Sequence, residues 1–215
     1  MKTILCYGDS LTYGANPIAG APRHAYEDRW PGALEAALAG KVRVIAEGLG
    51  GRTTIHDDWI ADADRSGARI LPTLLTSHAP FDLLIVMLGT NDLKPFLGRT
   101  VHEAARGAGR LIEITRGHFA QKGEAQPQIL LMAPPPLVPT QNTDMLEHFG
   151  GPALSAESQR FAATYERQAR ERGVHFFDAG SVAAADPADG VHLDAQNTRA
   201  IGVALAPLVT SILEL

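Results

Sequence analysis

Four short stretches of this chain carry the residue types that acyl transfer needs. Gly8-Asp9-Ser10-Leu11 offers a serine hydroxyl and Gly48-Leu49-Gly50-Gly51 a glycine N–H. Gly89-Thr90-Asn91-Asp92 offers a side-chain amide, and Asp189-Gly190-Val191-His192 an imidazole with a carboxylate three residues before it. Serine is a weak nucleophile at its free pKa and needs a base beside it. His192 suits that role, because imidazole titrates near neutral pH. Asp189, on a tight turn, could reach the far ring nitrogen, fix its tautomer and stabilise the imidazolium. A tetrahedral intermediate also needs fixed donors for its oxyanion. The backbone N–H groups of Ser10 and Gly51 and the amide of Asn91 are candidates, and Gly51 has no side chain to hold a substrate away. Each stretch alone also reads as an ordinary turn, since Gly, Asp, Asn and Ser are turn formers. Four such turns, each beside a strand end and each supplying one component of the same chemistry, favour the functional reading.

Strands must bring these stretches together. Residues 4–7, 42–46, 83–88, 129–133 and 174–177 are short apolar runs bounded by turn residues, and they read as five strands. Residues 83–88 are apolar throughout, as expected for a central strand buried on both faces. The spacing predicts helices at about 30–38, around Ile70 to Leu75, and from a Thr100/Glu103 capping box to about Gln121. A further helix is expected from a Ser155 cap to about Arg172, and a last one behind an Asp194 cap, kinked at Pro207. Residues 53–68 look irregular. Residues 12–28 and 137–152 are excursions too long for simple connections, the second expected to serve as a lid or a subunit contact. Alternating strands and helices predict an α/β fold with a five-stranded parallel sheet covered on both faces. Right-handed crossovers would place Ser10, Gly51, Asn91 and the Pro134 turn on one edge of that sheet, where open α/β proteins bind ligands.

The chain has 215 residues, expected to form one domain over 1–215 and long enough to bury a core without disulfides or metals. A net charge of -5 argues against a nucleic-acid partner, which would require a basic face. The single Cys6 lies in the first strand and reads as a small buried hydrophobe. Met1-Lys2 leads into too few apolar residues for a signal core, and no apolar run approaches the ~20 residues of a membrane helix. A cytoplasmic protein without membrane contact is expected.

Other candidates are weaker. Asp178 ends a strand on the same edge and could in principle orient His192; the tight spacing favours Asp189. His56-Asp57-Asp58 lacks a second ligand cluster and reads as a solvated loop, so no metal site is expected. Lys94 and Phe96, after the Asn91 stretch, could line a pocket or an interface. Leu11 and Val191 adjoin the reactive positions and could touch substrate or serve only as core. The chain has neither a phosphate-loop ending in Gly-Lys-Ser/Thr nor a Gly-x-Ser-x-Gly elbow.

Taken together and in this order, the four stretches resemble the four blocks of the SGNH (GDSL) hydrolase superfamily and span nearly the whole chain. The flanking residues Glu47-Gly48-Leu49, Arg52-Thr53-Thr54, Pro134-Pro135-Pro136-Leu137 and Phe176 to Ser181 are similar to its bacterial arylesterase/acyltransferase branch, which has mycobacterial and rhizobial members. The resemblance implies a flavodoxin-like three-layer α/β/α sandwich and a cofactor-free serine esterase acting on short acyl esters. It also implies transfer to alcohols and a tight homo-oligomer, an octamer being one candidate. It assigns Ser10 as nucleophile, His192 as base, Asp189 as its partner, and Ser10, Gly51 and Asn91 as the oxyanion hole. Leu11, Lys94, Phe96 and Val191 are the expected substrate-binding residues. A carbohydrate deacetylase or lysophospholipase on the same scaffold, and a non-catalytic flavodoxin-like binding module, are the alternatives. The sequence departs from the branch at Gly50-Gly51, which is richer in glycine, and at 137–152, which has no clear counterpart.

Overall fold

A computed structural model describes residues 1–215. Its five strands are β1 (Lys2–Gly8), β2 (Val42–Gly48), β3 (Leu83–Met87), β4 (Gln128–Ala133) and β5 (His175–Asp178), all parallel and in the order β2-β1-β3-β4-β5. This is the flavodoxin-like order, in which the ligand crevice opens between β1 and β3. Gly8 pairs with Gly48 on one side and with Met87 on the other. Three strands therefore end level, and the turns that follow leave the sheet at one height.

Alternation along the strands divides the core. Ile4, Cys6, Ile85, Met87, Leu130 and Met132 point to one face, where they meet Trp30 and Leu34 of α2 (Trp30–Ala37) and Ile201, Leu205 and Val209 of α8 (Ala195–Leu213). Leu5, Tyr7, Leu84, Val86 and Leu131 point to the other, against α3 (Gly67–His78), α4 (Val101–Lys122) and α7 (Phe161–Arg172). A parallel sheet needs both faces covered, and the three layers follow.

The expected caps of α4 and α8 are present. Thr100 and Glu103 bond reciprocally, and Asp194 accepts from Asn197 N at 2.7 Å. Pro207 lies inside α8, which is continuous from Ala195 to Leu213. Other expectations are corrected. Ser10 does not open a plain loop: Asp9 caps a one-turn helix, α1 (Ser10–Tyr13). The 137–152 excursion contains α5 (Thr143–Phe149) and the start of α6 (Gly151–Ser158). Ser155 sits within α6 instead of capping one long helix. Its hydroxyl donates to Leu137 O at 2.9 Å, and Leu137 N donates to Ser158 Oγ at 2.9 Å. Those bonds tie the α6 side chains to the segment leaving β4, and α7 restarts at Phe161.

α4 approaches the ligand edge closely at Gly107. A Cβ there would lie 2.0 Å from Thr54 Oγ1, a hydroxyl that itself bonds Asp92 beside Asn91. At Gly117, on the same helix, a Cβ would meet nothing within 4 Å. Helix propensity alone favours alanine over glycine by ~1 kcal/mol at both positions. Gly117→Ala should raise stability in urea denaturation by about 0.5–1 kcal/mol, whereas Gly107→Ala should lower it by roughly 1–3 kcal/mol through overpacking. Equal stabilisation by both would show that α4 can move away from Thr54 at no cost.

Candidate active site

The turn after β1 is held by one carboxylate. Asp9, 1% exposed, accepts from Leu11 N through Oδ1 at 2.9 Å, which places Ser10 at the first position of α1. The first N–H groups of a helix have no partner within it. Ser10 thus presents both a hydroxyl and an orphan backbone donor at the end of the sheet.

The partner of Ser10 comes from the far end of the chain. His192 Nε2 lies 2.9 Å from Ser10 Oγ, and His192 Nδ1 lies 2.5 Å from Asp189 Oδ2. Asp189 Oδ1 accepts from the backbone N–H groups of Val191 and His192, each at 2.9 Å. Gly190, at φ +80°, lets the chain turn tightly enough for this. Burial works to raise the Asp189 carboxyl, but the hydrogen bond and charge of His192 and the two amides outweigh it and hold it below its ordinary value. With Asp189 ionised, the hydrogen on His192 sits at Nδ1 and Nε2 is free to take a proton from Ser10. Asp178 does not contribute: its Oδ1 accepts from Gly180 N at 2.9 Å at the end of β5.

The donor side is built from the turns after β2 and β3. Gly51 has φ +79° and its N–H makes no backbone hydrogen bond. Asn91 is buried, and its Nδ2 donates to Asp9 Oδ2 and to Arg52 O, each at 3.2 Å. The resting amide therefore already has two acceptors. An oxyanion bound beside Asn91 would share those hydrogens, which the length of both bonds favours. Arg52, 3% exposed, donates through Nη1 to Gly8 O and Glu47 O and stacks 4.3 Å over the Tyr7 ring, so it binds the ends of β1 and β2 together. Asp92 accepts from Thr54 N at 2.9 Å and from Thr54 Oγ1 at 2.5 Å, joining the turn after β3 to the loop after β2. Burial pushes the Asp9 carboxyl up to about 6, against the Leu11 N–H, His192 and Arg52. It pushes Asp92 up to about 7, against its bonds to Thr54. A capping aspartate can be anticipated from a one-turn helix start; nothing in the pattern marks Arg52 as a buried strap.

The residues expected to bind substrate are dispersed. Leu11 is packed into the core on the α2/α8 face. Lys94 is buried, and its Nζ is paired with Asp58 Oδ2 at 3.0 Å, so its charge is already matched. The expectation of a solvated loop at His56-Asp57-Asp58 therefore fails at Asp58, which is buried to meet Lys94, and Asp57 accepts from Arg69 at 3.0 Å. Phe96 is half exposed. Val191 packs with Leu137 and Phe149. Together with Met145, Leu146 and Pro152 these three line a largely apolar cavity of about 530 Å³, between α5, α6 and the Asp189 turn. No group of three or more His, Cys, Asp or Glu side chains is placed to hold a metal ion. No helix is long and apolar enough to cross a membrane.

This arrangement is similar to known proteins. The sequence profile described as the GDSL-like lipase/acylhydrolase family matches residues 6–199. A carbohydrate acetylesterase family member from Sinorhizobium meliloti is 50% identical over 100% of both chains, with a TM-score of 0.95. The aryl esterase of M. smegmatis is 40% identical, covering 99% of this chain and 100% of its own, with a TM-score of 0.92. A second carbohydrate acetylesterase from Sinorhizobium meliloti is 39% identical over 99% of this chain and 100% of its own, with a TM-score of 0.92. Among curated proteins, no match was found.

Proposed function

The chain belongs to the GDSL-like lipase/acylhydrolase family and has the SGNH hydrolase fold, and from that premise we propose that it is a serine esterase of short acyl esters, aryl esters among them, acting through an acyl-enzyme at Ser10. The observation that carries this reading is the relay from Ser10 Oγ to His192 Nε2 and from His192 Nδ1 to Asp189 Oδ2. Ser10 Oγ attacks the ester carbonyl carbon while its proton passes to His192 Nε2. The carbonyl oxygen becomes an oxyanion held by the N–H groups of Ser10 and Gly51 and by Asn91. When the intermediate collapses, the C–O bond to the leaving alcohol breaks and His192 returns the proton to that oxygen. Water then attacks the acyl-enzyme, His192 takes its proton, and Ser10 is regenerated as the acid leaves. No step calls for a metal or cofactor.

A second reading concerns the ester. The 50% identical relative is a carbohydrate acetylesterase family member, which supports acetylated carbohydrates as substrates of the same chemistry. A panel comparing aryl acetates with acetylated sugars separates the two.

Removal of the relay tests the mechanism. On a chromogenic ester, Ser10→Ala and His192→Ala should lower kcat by ~10⁶, and Asp189→Asn by ~10⁴, since it disturbs orientation but leaves the attacking pair. Asp178→Asn should behave as the unaltered protein. Turnover that survives Ser10→Ala would sink the proposal.

Transfer to alcohols in water would draw on the apolar cavity beside Val191, which adjoins the Asp189 turn but is not lined by Ser10 or His192. Water is at ~55 M, so an alcohol competes only where a site binds and orients it. With a vinyl ester and a primary alcohol in buffer, the ratio of new ester to free acid should exceed the alcohol-to-water ratio. A ratio no higher would leave a plain hydrolase.

Closed homo-oligomerisation is proposed from apolar exposure. Trp59 and Ile60 are 86% and 84% exposed, and Ile18 and Phe96 are more than half exposed. Trp59 and Ile60 are neighbours in the chain, and an exposed apolar pair of that size favours a partner surface. Light scattering at micromolar concentration should give a multiple of the 22.9 kDa chain mass; a monomer would refute this.

A further inference from the structure

Asp9 is adjacent to the nucleophile, yet the acyl-transfer steps do not use it. Its two carboxylate oxygens face different partners. Oδ1 takes Leu11 N at 2.9 Å and so fixes the start of α1. That helix has four residues and one turn, held otherwise by Tyr13 N to Asp9 O and Gly14 N to Ser10 O, each at 2.9 Å. Losing the cap would free much of its first turn. Oδ2 takes Asn91 Nδ2 at 3.2 Å, from the turn after β3. The second acceptor of that nitrogen is Arg52 O, also at 3.2 Å. Both neighbours of Nδ2 are acceptors without hydrogens, so the Asn91 amide has one orientation. Turned over, its own oxygen would face a carboxylate and a carbonyl. Asp9 is 1% exposed and Asn91 4%, so water does not readily replace either partner.

We propose that Asp9 is a positioning residue for acyl transfer: one carboxylate sets the height of Ser10 through the α1 cap and the orientation of the oxyanion donor Asn91. The proposal rests on the reading of this site as an acyl-transfer site. It explains why an acid, and not an amide, suits this position. Asparagine caps helices as well as aspartate does, so in Asp9→Asn the side-chain oxygen could still accept from Leu11 N. The new amide nitrogen would then face the Nδ2 of Asn91, donor against donor. Asn91 must either lose that contact or turn over, and a turned amide offers its oxygen where the oxyanion needs a hydrogen. A buried donor without an acceptor is unfavourable, so the displaced arrangement is the one populated.

The test uses the full chain and p-nitrophenyl acetate, with Asp9→Asn and Asp9→Ser, each alone and combined with Asn91→Ala. Serine also caps a helix, but it is too short to reach Asn91 and adds no opposing donor. Asn91→Ala should lower kcat by ~10²–10³, the usual cost of one oxyanion donor. Asp9→Asn should match that loss, with KM within about threefold, because the defect lies in the transition state and not in substrate binding. Asp9→Ser should lose part of it. In the Asn91→Ala background Asp9→Asn should cost no more than about threefold further, since both changes remove one shared interaction. A wild-type kcat in Asp9→Asn overturns the proposal. So does a double variant in which the two losses multiply, because Asp9 would then act through something other than Asn91. Loss of the fold in both Asp9 variants likewise overturns it, by making the role structural. If Asn91→Ala itself keeps full kcat, the acyl-transfer reading has failed, an outcome distinct from the others.

Discussion

The level ending of three parallel strands is the constraint on which the site depends. Gly8 pairs with both Gly48 and Met87, so the turns bearing Ser10, Gly51 and Asn91 converge, although Asp9 and Asn91 are 82 residues apart in the chain. An apolar sheet buried on both faces leaves little water at that edge, and the polar groups placed there must satisfy one another. Asp9 to Asn91, Asn91 to Arg52, Arg52 to Gly8 and Glu47, and Thr54 to Asp92 form the resulting set of bonds. The arrangement has a cost. Burial raises Asp9 to about 6 and Asp92 to about 7. The folded state therefore holds these protons more tightly than the unfolded chain. Their contribution to stability is greatest below the unfolded carboxyl pKa and declines as pH rises through about 6 and about 7. Near neutral pH the fold gives up stability to keep two acids beside Asn91.

The second half of the site is joined to the first by the chain ends. Ser10 and His192 are 182 residues apart. Their approach is set by α8 packing on α2 and by three bonds outside the site. His24 Nε2 contacts Leu193 O at 2.8 Å, Trp30 N donates to Thr198 Oγ1 at 3.0 Å, and Trp30 Nε1 donates to Thr12 Oγ1 at 3.2 Å. These hold the loop before α8 against the segment after β1, so the relay geometry depends on the core of one face of the sheet.

The 137–152 segment supports the Asp189 turn from outside. Val138 N donates to Gly190 O at 3.0 Å, Thr140 Oγ1 donates to Ala188 O at 3.3 Å, and Leu137 and Phe149 pack on Val191. The segment therefore acts on both the stability of the acid's turn and the apolar cavity beside it.

The sequence by itself determined the sheet and singled out the residues that the sheet edge brings together. The apolar runs at Leu83 to Leu88 and Ile129 to Ala133, the capping box at Thr100 and Glu103, and the Asp189-to-His192 spacing are local signals, because strand burial, caps and tight turns are set by neighbouring residues. The division of α6 from α7, the burial of Lys94 against Asp58 and the strap made by Arg52 were not legible, since each depends on a partner far along the chain or on which side chain wins a particular acceptor. The two acceptors of Asn91 belong to the same class. A sequence states that an amide follows a strand; only the packed edge of the sheet decides which oxygens surround it. Hydrogen-bond partners between distant segments are chosen by strand register and burial, and no local pattern encodes them.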